Sequence, residues 1–277
     1  MGLKAKLLRR SYAPKAAVLG CGPAGMFAAH GLIQMGWDVT IFSQKRRSQM
    51  FGAQYLHKPI EGLPCGDPTP IEYQLIGTVE QYALKVYGPE MAAGLKVSPS
   101  LLPKNHDAWS IRSAYYAAYE RYNQSIVDCL VDRSMIHGMF RKGNPNWSLA
   151  INTIPLKSIC WEPAHQFTSQ KIWAAGDAPE LDRWCPVTCP PNTVICNGER
   201  DQGWYRVSNV HGYNTAEWPY DRKPPIEGLG EVEKPLSNNC DCLDAYGIIA
   251  AGRYGKWQKD VLAHHPYLTA LIRGGRR

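Results

Sequence analysis

The feature that most constrains the fold is a glycine pattern near the start of the chain, Gly20-Cys21-Gly22-Pro23-Ala24-Gly25. A short apolar run over residues 15–19 precedes it and predicts a buried parallel strand. A helical pattern follows over residues 23–35 and ends at Gly36. Residues 39–42 then predict a second strand, so the chain opens with a β-α-β unit.

Three glycines at this spacing, between a strand and a helix, predict a loop that binds a dinucleotide. Gly20 permits a tight turn, Gly22 lets the backbone approach a pyrophosphate, and Gly25 lets the helix pack closely on the strand. The pattern usually ends with an acidic residue at the tip of the second strand, but here Ser43 stands there, followed by Gln44-Lys45-Arg46-Arg47. Serine beside arginine suits the 2′-phosphate of NADP or a flavin site with a weaker ribose contact. The first motif leaves both cofactors open.

A second junction between a strand and a helix lies near the other end of the sequence. The apolar residues 246–251 lead into Gly252-Arg253 and a final helix. A simple NAD(P) domain does not need such a junction. Folds of the glutathione-reductase type do, because they bring two distant segments together around one FAD.

With these two segments the sequence resembles the flavin amine oxidases and UDP-galactopyranose mutases. The match starts with residues 17–26 (AVLGCGPAGM) and closes with residues 249–254 (IAAGRY). In family order between them come a loop after the second strand, an N-T-I-P turn at residues 152–155 and a strand carrying Tyr205-Arg206. Gly176-Asp177 is a rival for the closing motif, but the order of these middle motifs favours Gly252-Arg253. The chain has 277 residues, fewer than is usual in these enzymes, so the substrate does not carry over.

The resemblance implies an α/β fold with a Rossmann-like FAD-binding domain formed by both chain ends. Residues 1–70 and 243–277 would form that domain, and residues 71–242 a small inserted α+β substrate region. Within the insert, residues 71–87 and 110–131 show helical spacing, and residues 149–151 and 171–175 look like strands. The implied FAD ligands are Gly20, Gly22, Pro23, Ala24, Gly25, Ser43, Gln44, Arg47, Gly52, Ala53, Gln54, Gly252, Arg253 and Tyr254.

The function implied is an FAD-dependent oxidoreductase of the amine-oxidase kind, in which the flavin accepts a hydride from a carbon that bears nitrogen. Tyr205 and Arg206 would face the substrate, and His57 is a candidate for acid–base work. No Ser-His-Asp order or pair of carboxylates stands out in the sequence. A flavoprotein does not need one, because the cofactor carries the difficult chemistry.

Three alternatives remain open. A mutase-like enzyme would act on a sugar nucleotide, with Arg206 gripping a diphosphate. A phage-type flavoenzyme, an oxidase or lyase, would act on a hypermodified DNA base. An NADP-binding or non-catalytic dinucleotide-binding protein is the third. The net charge of +7 bears on the DNA alternative, because residues 1–20 carry five basic and no acidic side chains and residues 253–277 carry six and one. The partner is then a small-molecule or base-attached amine, with DNA contact through the basic termini.

The cysteines and the hydropathy give weaker expectations. Nine cysteines are an odd number and are widely spaced, which argues against a disulfide framework. Free thiols in loops are favoured over a zinc site, and no metal ligands are predicted, because the spacing is irregular and no histidine lies at ligand spacing beside them. The cysteines concerned are Cys185, Cys189, Cys196, Cys240 and Cys242.

No apolar run reaches the roughly 18 residues that span a bilayer, and no signal peptide is visible, so we expect a cytoplasmic protein (host cytoplasm if phage-encoded) without a membrane partner.

Overall fold

The computed structural model describes residues 13–44, 50, 55–94, 105–140, 146–176 and 187–275, and these residues form two sheets with helices packed on them. The helices are α1 (Pro23–Gln34), α2 (Val79–Gly94, interrupted at Gly88), α3 (Ile111–Tyr122), α4 (Arg133–Met139), α5 (Leu156–Ile159), α6 (Gly252–Lys256) and α7 (His265–Gly274). The strands are β1 (Lys15–Leu19), β2 (Asp38–Ser43), β3 (Thr69–Ile76), β4 (His106–Ala108), β5 (Ile126–Asp128), β6 (Leu149–Asn152), β7 (Phe167–Gly176), β8 (Thr193–Asn197), β9 (Arg206–Val210), β10 (Tyr213–Pro219), β11 (Gly230–Asn238) and β12 (Ile248–Ala250).

The first sheet has the strand order β12-β6-β1-β2-β5, and its strands run parallel. Strand β1 lies at its centre and is fully buried from Ala16 to Leu19. Ala16 and Val18 pack with helices α1, α3 and α7, whereas Ala17 and Leu19 pack against α4 and α5 on the other face. A parallel strand covered on both faces reads as a continuous apolar run, which explains why β1 is visible in the sequence.

The prediction of an α/β fold with a parallel, Rossmann-like sheet fed by both ends of the sequence is confirmed. Strand β12, near the end of the chain, pairs with β6, and β6 pairs in turn with β1 near its start. Strands β5 and β6 lie within residues 71–242, the predicted insert, but belong to the first sheet.

The second sheet has seven strands in the order β11-β7-β10-β9-β8-β3-β4. Its neighbouring strands are antiparallel except for β3 and β8, which run parallel. One group of its buried side chains packs with Tyr82 and Val86 of helix α2. A second group includes Trp204 and Trp218.

Two helices expected in the insert are wrong in part. Residues 69–76 form strand β3, and helix α2 starts only at Val79, after Gly77 adopts a left-handed backbone with φ of 81°. The scattered apolar residues of this segment fit the period of a helix as well as that of a strand. The segment forms a strand because it pairs with the buried strand β8. Similarly, α3 ends at Tyr122, and the chain then forms strand β5.

Among the described residues, no helix combines the length and the apolar character needed to cross a membrane.

Candidate dinucleotide-binding site

The glycine loop after β1 has a geometry that excludes side chains at two positions. Gly20 has a φ of 103°, and a Cβ atom placed there would lie 2.8 Å from the Thr153 hydroxyl oxygen. A Cβ atom on Gly25 would lie only 1.9 Å from the Gly20 carbonyl oxygen. The loop therefore brings its own backbone against the start of helix α1, as a pyrophosphate-binding turn requires.

The start of helix α1 offers backbone donors. Gly22 is the N-cap residue in an extended conformation, and Pro23 occupies the first turn. No side chain of the described residues caps this helix end. A helix start without a cap leaves N–H groups and the positive end of the dipole available to an anion.

The closing motif lies directly against this loop. The backbone N–H of Ala251 donates to the carbonyl of Asn152 over 2.8 Å, which holds the end of β12 beside β6. Gly252 has a φ of 75°, and a Cβ atom there would lie 2.7 Å from the Cβ of Ala24. The rival Gly176 ends strand β7 in the second sheet, and Asp177 lies outside the described residues.

The tip of β2 carries the residues expected at the adenosine end. Ser43 is the last residue of the strand, and the carbonyl of Gln44 accepts a bond from the Cys21 thiol over 3.6 Å. Asp128, an exposed residue at the end of β5, pairs in register with Ser43. The sequence did not single out Asp128, because its strand was taken for part of a helix. Four further predicted ligands, Arg47, Gly52, Ala53 and Gln54, lie outside the described residues.

Arg206 takes part in an ionic group around the buried Glu217, which we call the charged triad: Arg206, Glu217 and Lys234, of which the two cations are partly buried. The guanidinium of Arg206 donates to one carboxylate oxygen of Glu217, and Lys234 Nζ lies 2.5 Å from the other. Burial alone would raise the pKa of Glu217, but the two cations outweigh it and hold that pKa at about 2. Arg206, expected to face the substrate, has a carboxylate partner within the protein. Tyr205, its predicted companion, packs beside the Tyr82 and Val86 cluster.

Arg253, from the closing motif, adds another cation near the charged triad. Its Nη2 donates to the carbonyl of Pro235 over 3.2 Å, while its Nε has no hydrogen-bond partner among the described residues. Burial lowers its pKa. Burial is also the main cause that lowers the pKa of Lys234 to about 8, and the charges of Arg206 and Arg253 lower it further. Arg253 thus lies near a triad that already has two cations for one carboxylate, which leaves a positive surplus beside the closing motif. Tyr254, the next residue, is 37% exposed.

His57 lies in a cluster of histidines. Its ring stacks on His106 with the centroids 4.7 Å apart, and the ring of His264 lies 6.4 Å away. Burial, reinforced by neighbouring histidines, lowers the pKa of both His57 and His264 to about 4. His264 is only 3% exposed. The Nδ1 atom of His57 has no hydrogen-bond partner among the described residues, and the lowered pKa values keep the rings of His57 and His264 neutral at pH 7.

The cysteines divide into separate groups. Cys196 is buried in strand β8 rather than in a loop, and Cys189 contacts the carbonyl of Thr193 nearby. Cys240 and Cys242 lie elsewhere, beside Cys160 and His165. Cys185 lies outside the described residues. Cys160 and His165 lie far from Cys240 and Cys242 along the chain, so the spacing of the cysteines in the sequence did not indicate them as candidate ligands.

No protein-family model matches the chain, and no curated protein matches it. Among solved structures, a mutant of 2-methyl-3-hydroxypyridine-5-carboxylic acid oxygenase matches with a TM-score of 0.53 and 12% identity, over 95% of this chain and 82% of that one. A flavoprotein/dehydrogenase from Cytophaga hutchinsonii matches with a TM-score of 0.51 and 9% identity, over 95% and 77% of the two chains. Neither match is titled an amine oxidase or a mutase. At these identities the comparison shows the fold alone: this chain shares its α/β architecture with an oxygenase and a flavoprotein.

Proposed function

We propose that the protein is an FAD-dependent oxidoreductase. One observation carries the proposal: the glycine loop and the closing Gly252 meet at the carboxyl ends of the parallel strands, with Gly252 against Ala24. A domain for NADP alone needs only the first of these motifs. The flavoprotein among the structural neighbours supports the choice of FAD.

The residues present fit this cofactor. The uncapped start of α1 would hold the pyrophosphate, and Ser43, Gln44 and Asp128 would lie at the adenosine end. Arg253 would lie at the flavin end, where a positive charge favours the reduced, negatively charged ring. Bound FAD supplies the capacity to accept a hydride. The buried Nε of Arg253, without a partner among the described residues, is the kind of group that a ligand satisfies.

For the reaction, we propose abstraction of a hydride from a carbon that bears nitrogen. An amine donates a hydride only when its nitrogen is uncharged, so the substrate must bind as the free amine. Burial lowers the pKa of His57 to about 4, so its imidazole is neutral at pH 7 and too weak a base to deprotonate an ammonium group. Its role in this proposal is to accept a hydrogen bond from the uncharged amine and orient it. The positive surplus around Arg206, Lys234 and Arg253 favours an amine that also carries an anionic group.

The alternatives receive different support. A mutase that grips a diphosphate through Arg206 is less favoured, because that guanidinium is engaged by Glu217. Oxygen insertion is the second candidate, since an oxygenase is among the structural neighbours. DNA contact was inferred from basic termini, and residues 1–12, 276 and 277 lie outside the described part of the chain.

The first experiment is the visible spectrum of the purified protein, with identification of any chromophore released by heat. We expect flavin bands at about 375 and 450 nm and release of FAD. The variant Gly252→Ala should lose FAD, because its new methyl group meets Ala24. Gly247→Ala is the matched control: Gly247 also has a positive φ, but nothing lies within 4 Å of its Cβ position. A colourless protein that takes up no added FAD would overturn the proposal.

The reaction is tested anaerobically on the FAD-loaded protein. Amines that carry an anionic group should bleach the flavin band at about 450 nm, and faster as the pH rises and more of the substrate is uncharged. His57→Leu, which removes the hydrogen-bond acceptor, should slow the bleaching. Bleaching by NADH or NADPH but by no amine would favour the oxygenase candidate instead.

A further inference from the structure

The side chains of Cys160, His165, Cys240 and Cys242, here called the Cys/His cluster, converge at one point away from the glycine loop. The four potential ligand atoms, three Sγ atoms and one imidazole nitrogen, all lie within 4.8 Å of one another. Cys160 and Cys242 are buried, and the other two are partly buried. Such a set of three thiols and one imidazole is a common ligand set for zinc.

The distances among Cys160 Sγ, Cys242 Sγ and His165 Nδ1 match the edges of a metal-centred tetrahedron, and Cys240 Sγ lies within 4.8 Å of each of them. Bonds of about 2.3 Å to sulfur and about 2.0 Å to nitrogen imply edges of about 3.8 Å between sulfurs and about 3.5 Å between sulfur and nitrogen. The Sγ atoms of Cys160 and Cys242 lie 3.7 Å apart. His165 Nδ1 lies 3.3 Å from Cys160 Sγ and 3.5 Å from Cys242 Sγ.

The far side of the imidazole has the partner that zinc-bound histidines usually have. His165 Nε2 lies 3.4 Å from a carboxylate oxygen of Asp241, while Nδ1 points to the sulfurs. Metal-ligating histidines usually donate their second N–H to a carboxylate, a backbone carbonyl or water, which fixes the tautomer. Asp241 is mainly exposed, and its carboxylate lies where it can orient the His165 ring.

The cluster also has a definite place in the topology. Cys160 and His165 lie on the connection from β6 to β7, by which the chain leaves the first sheet for the second. Cys240 and Cys242 lie on the connection from β11 to β12, by which it returns. An ion here would link the two connections, and Cys242 precedes Gly252 of the closing motif by ten residues.

We propose that Cys160, His165, Cys240 and Cys242 bind one zinc ion, which has a structural role. Four protein ligands fill the tetrahedron, and a closed site of this kind holds the fold together rather than activating water. The inference does not depend on the proposed function, because it concerns other residues and the zinc can be measured without any flavin or substrate.

The test is the metal content of the purified full chain, prepared without chelators and measured by mass spectrometry. We expect about one zinc per chain. Cys160→Ser and Cys242→Ser should each lower the content at least about tenfold, whereas His165→Cys, which supplies another thiolate, should retain it. Cys129→Ser and Cys189→Ser are the matched controls, since both residues are partly buried cysteines outside the cluster, and each should keep the full content.

A second measurement on the unaltered chain covers the case in which the variants do not fold. Zinc is removed with a thiol-blocking mercurial, the thiols are regenerated, and cobalt(II) is added. Strong absorption in the red, beyond the flavin bands, would report tetrahedral thiolate ligation. The proposal is overturned by wild-type protein that holds no zinc and binds no cobalt. Iron in place of zinc, a disulfide among Cys160, Cys240 and Cys242, or full zinc content in Cys160→Ser would overturn it equally.

Discussion

The closing motif relates the glycine loop to the charged triad, since Gly252 packs against Ala24 and the charge of Arg253 acts on Lys234, but the two regions are built on opposite principles. The loop works through backbone alone, since a single added methyl group at Gly25 would lie 1.9 Å from a carbonyl oxygen. The triad depends on three long side chains from β9, β10 and β11, with Glu217 only 4% exposed. One region is defined by the absence of side chains and the other by their charges.

This difference decides what each region tolerates. A loop that binds through N–H groups has no titratable group to lose, so it is insensitive to pH but intolerant of any added volume. A buried ionic group tolerates changes of shape poorly and loss of one partner worse, because the remaining charge stays buried without compensation. Variants of the two regions should therefore fail in different ways.

The largest effect is expected for Gly25→Ala. The new methyl group cannot be accommodated without moving the Gly20 carbonyl, so either helix α1 shifts or the loop opens. We expect a loss of more than about 4 kcal/mol in the free energy of unfolding, or loss of FAD with a weakened fold. Urea unfolding and FAD content measure both. Gly138→Ala is the control: Gly138 also lies in a helix, nothing lies within 4 Å of its Cβ position, and alanine there should be harmless.

Breaking the triad should have the next largest effect. Glu217→Gln leaves the partly buried charges of Arg206 and Lys234 without a carboxylate, and the expected cost is about 3 kcal/mol in the free energy of unfolding. Glu231→Gln serves as the control, because Glu231 forms its ion pair with Lys171 at the surface of the same sheet. If both variants unfold at the same urea concentration, the buried pairing is not what stabilises this sheet.

The loop depends on local backbone geometry and the triad on contacts between distant residues, so the sequence predicts the loop but not the triad. The glycine loop is contiguous, and its strand and helix flank it, so local spacing was enough to predict it. Glu217 and Lys234 meet Arg206 only through strand pairing, and nothing in a Pro-rich stretch states that register. The sequence therefore indicated Arg206 as a candidate site residue but did not indicate its partners Glu217 and Lys234.

The Cys/His cluster lies between these cases. Its halves are local patterns, Cys160-x₄-His165 and Cys240-x-Cys242, but about 80 residues separate them. Along the chain, Cys185, Cys189 and Cys196 are nearer to Cys240 than Cys160 is, so sequence spacing favours the wrong partners. Only the sheet topology, which places both connections side by side, brings the right pair together.

The histidine cluster should give the chain a pH-dependent stability that the glycine loop does not. The pKa values of His57 and His264 lie at about 4 in the folded chain, below the usual 6.5. Between these values the unfolded chain binds protons that the folded chain does not, so stability falls as the pH falls from about 6.5 to about 4. With allowance for the partly exposed ring of His57, we expect a loss on the order of 2 kcal/mol.

Urea unfolding at several pH values measures this loss, and the double variant His57→Gln with His264→Gln should flatten the curve above pH 4.5 (roughly the usual carboxylate pKa). Glu217 provides an internal contrast. Its pKa of about 2 lies below the usual value for a glutamate, so its contribution is lost only at lower pH. A curve that keeps its slope from pH 6.5 to 4.5 in the double variant (roughly the window between histidine and carboxylate pKa values) would assign the effect to other groups.

The smallest effect is expected at the adenosine edge, where backbone and charge meet. Asp128 is exposed and lies in register with Ser43, so its carboxylate is placed to accept a bond from a ribose hydroxyl while adding little to packing. Asp128→Asn keeps the shape and removes the charge; we expect the dissociation constant of FAD to rise about threefold to tenfold, at an unchanged urea midpoint. Asp107→Asn changes an exposed strand aspartate of the second sheet and should leave FAD affinity as it is. An equal loss of affinity in both variants would mean that overall charge, and not a ribose contact, determines binding at this edge. A loss confined to Asp128 would show that the acidic partner missing from the tip of β2 is supplied by the neighbouring strand.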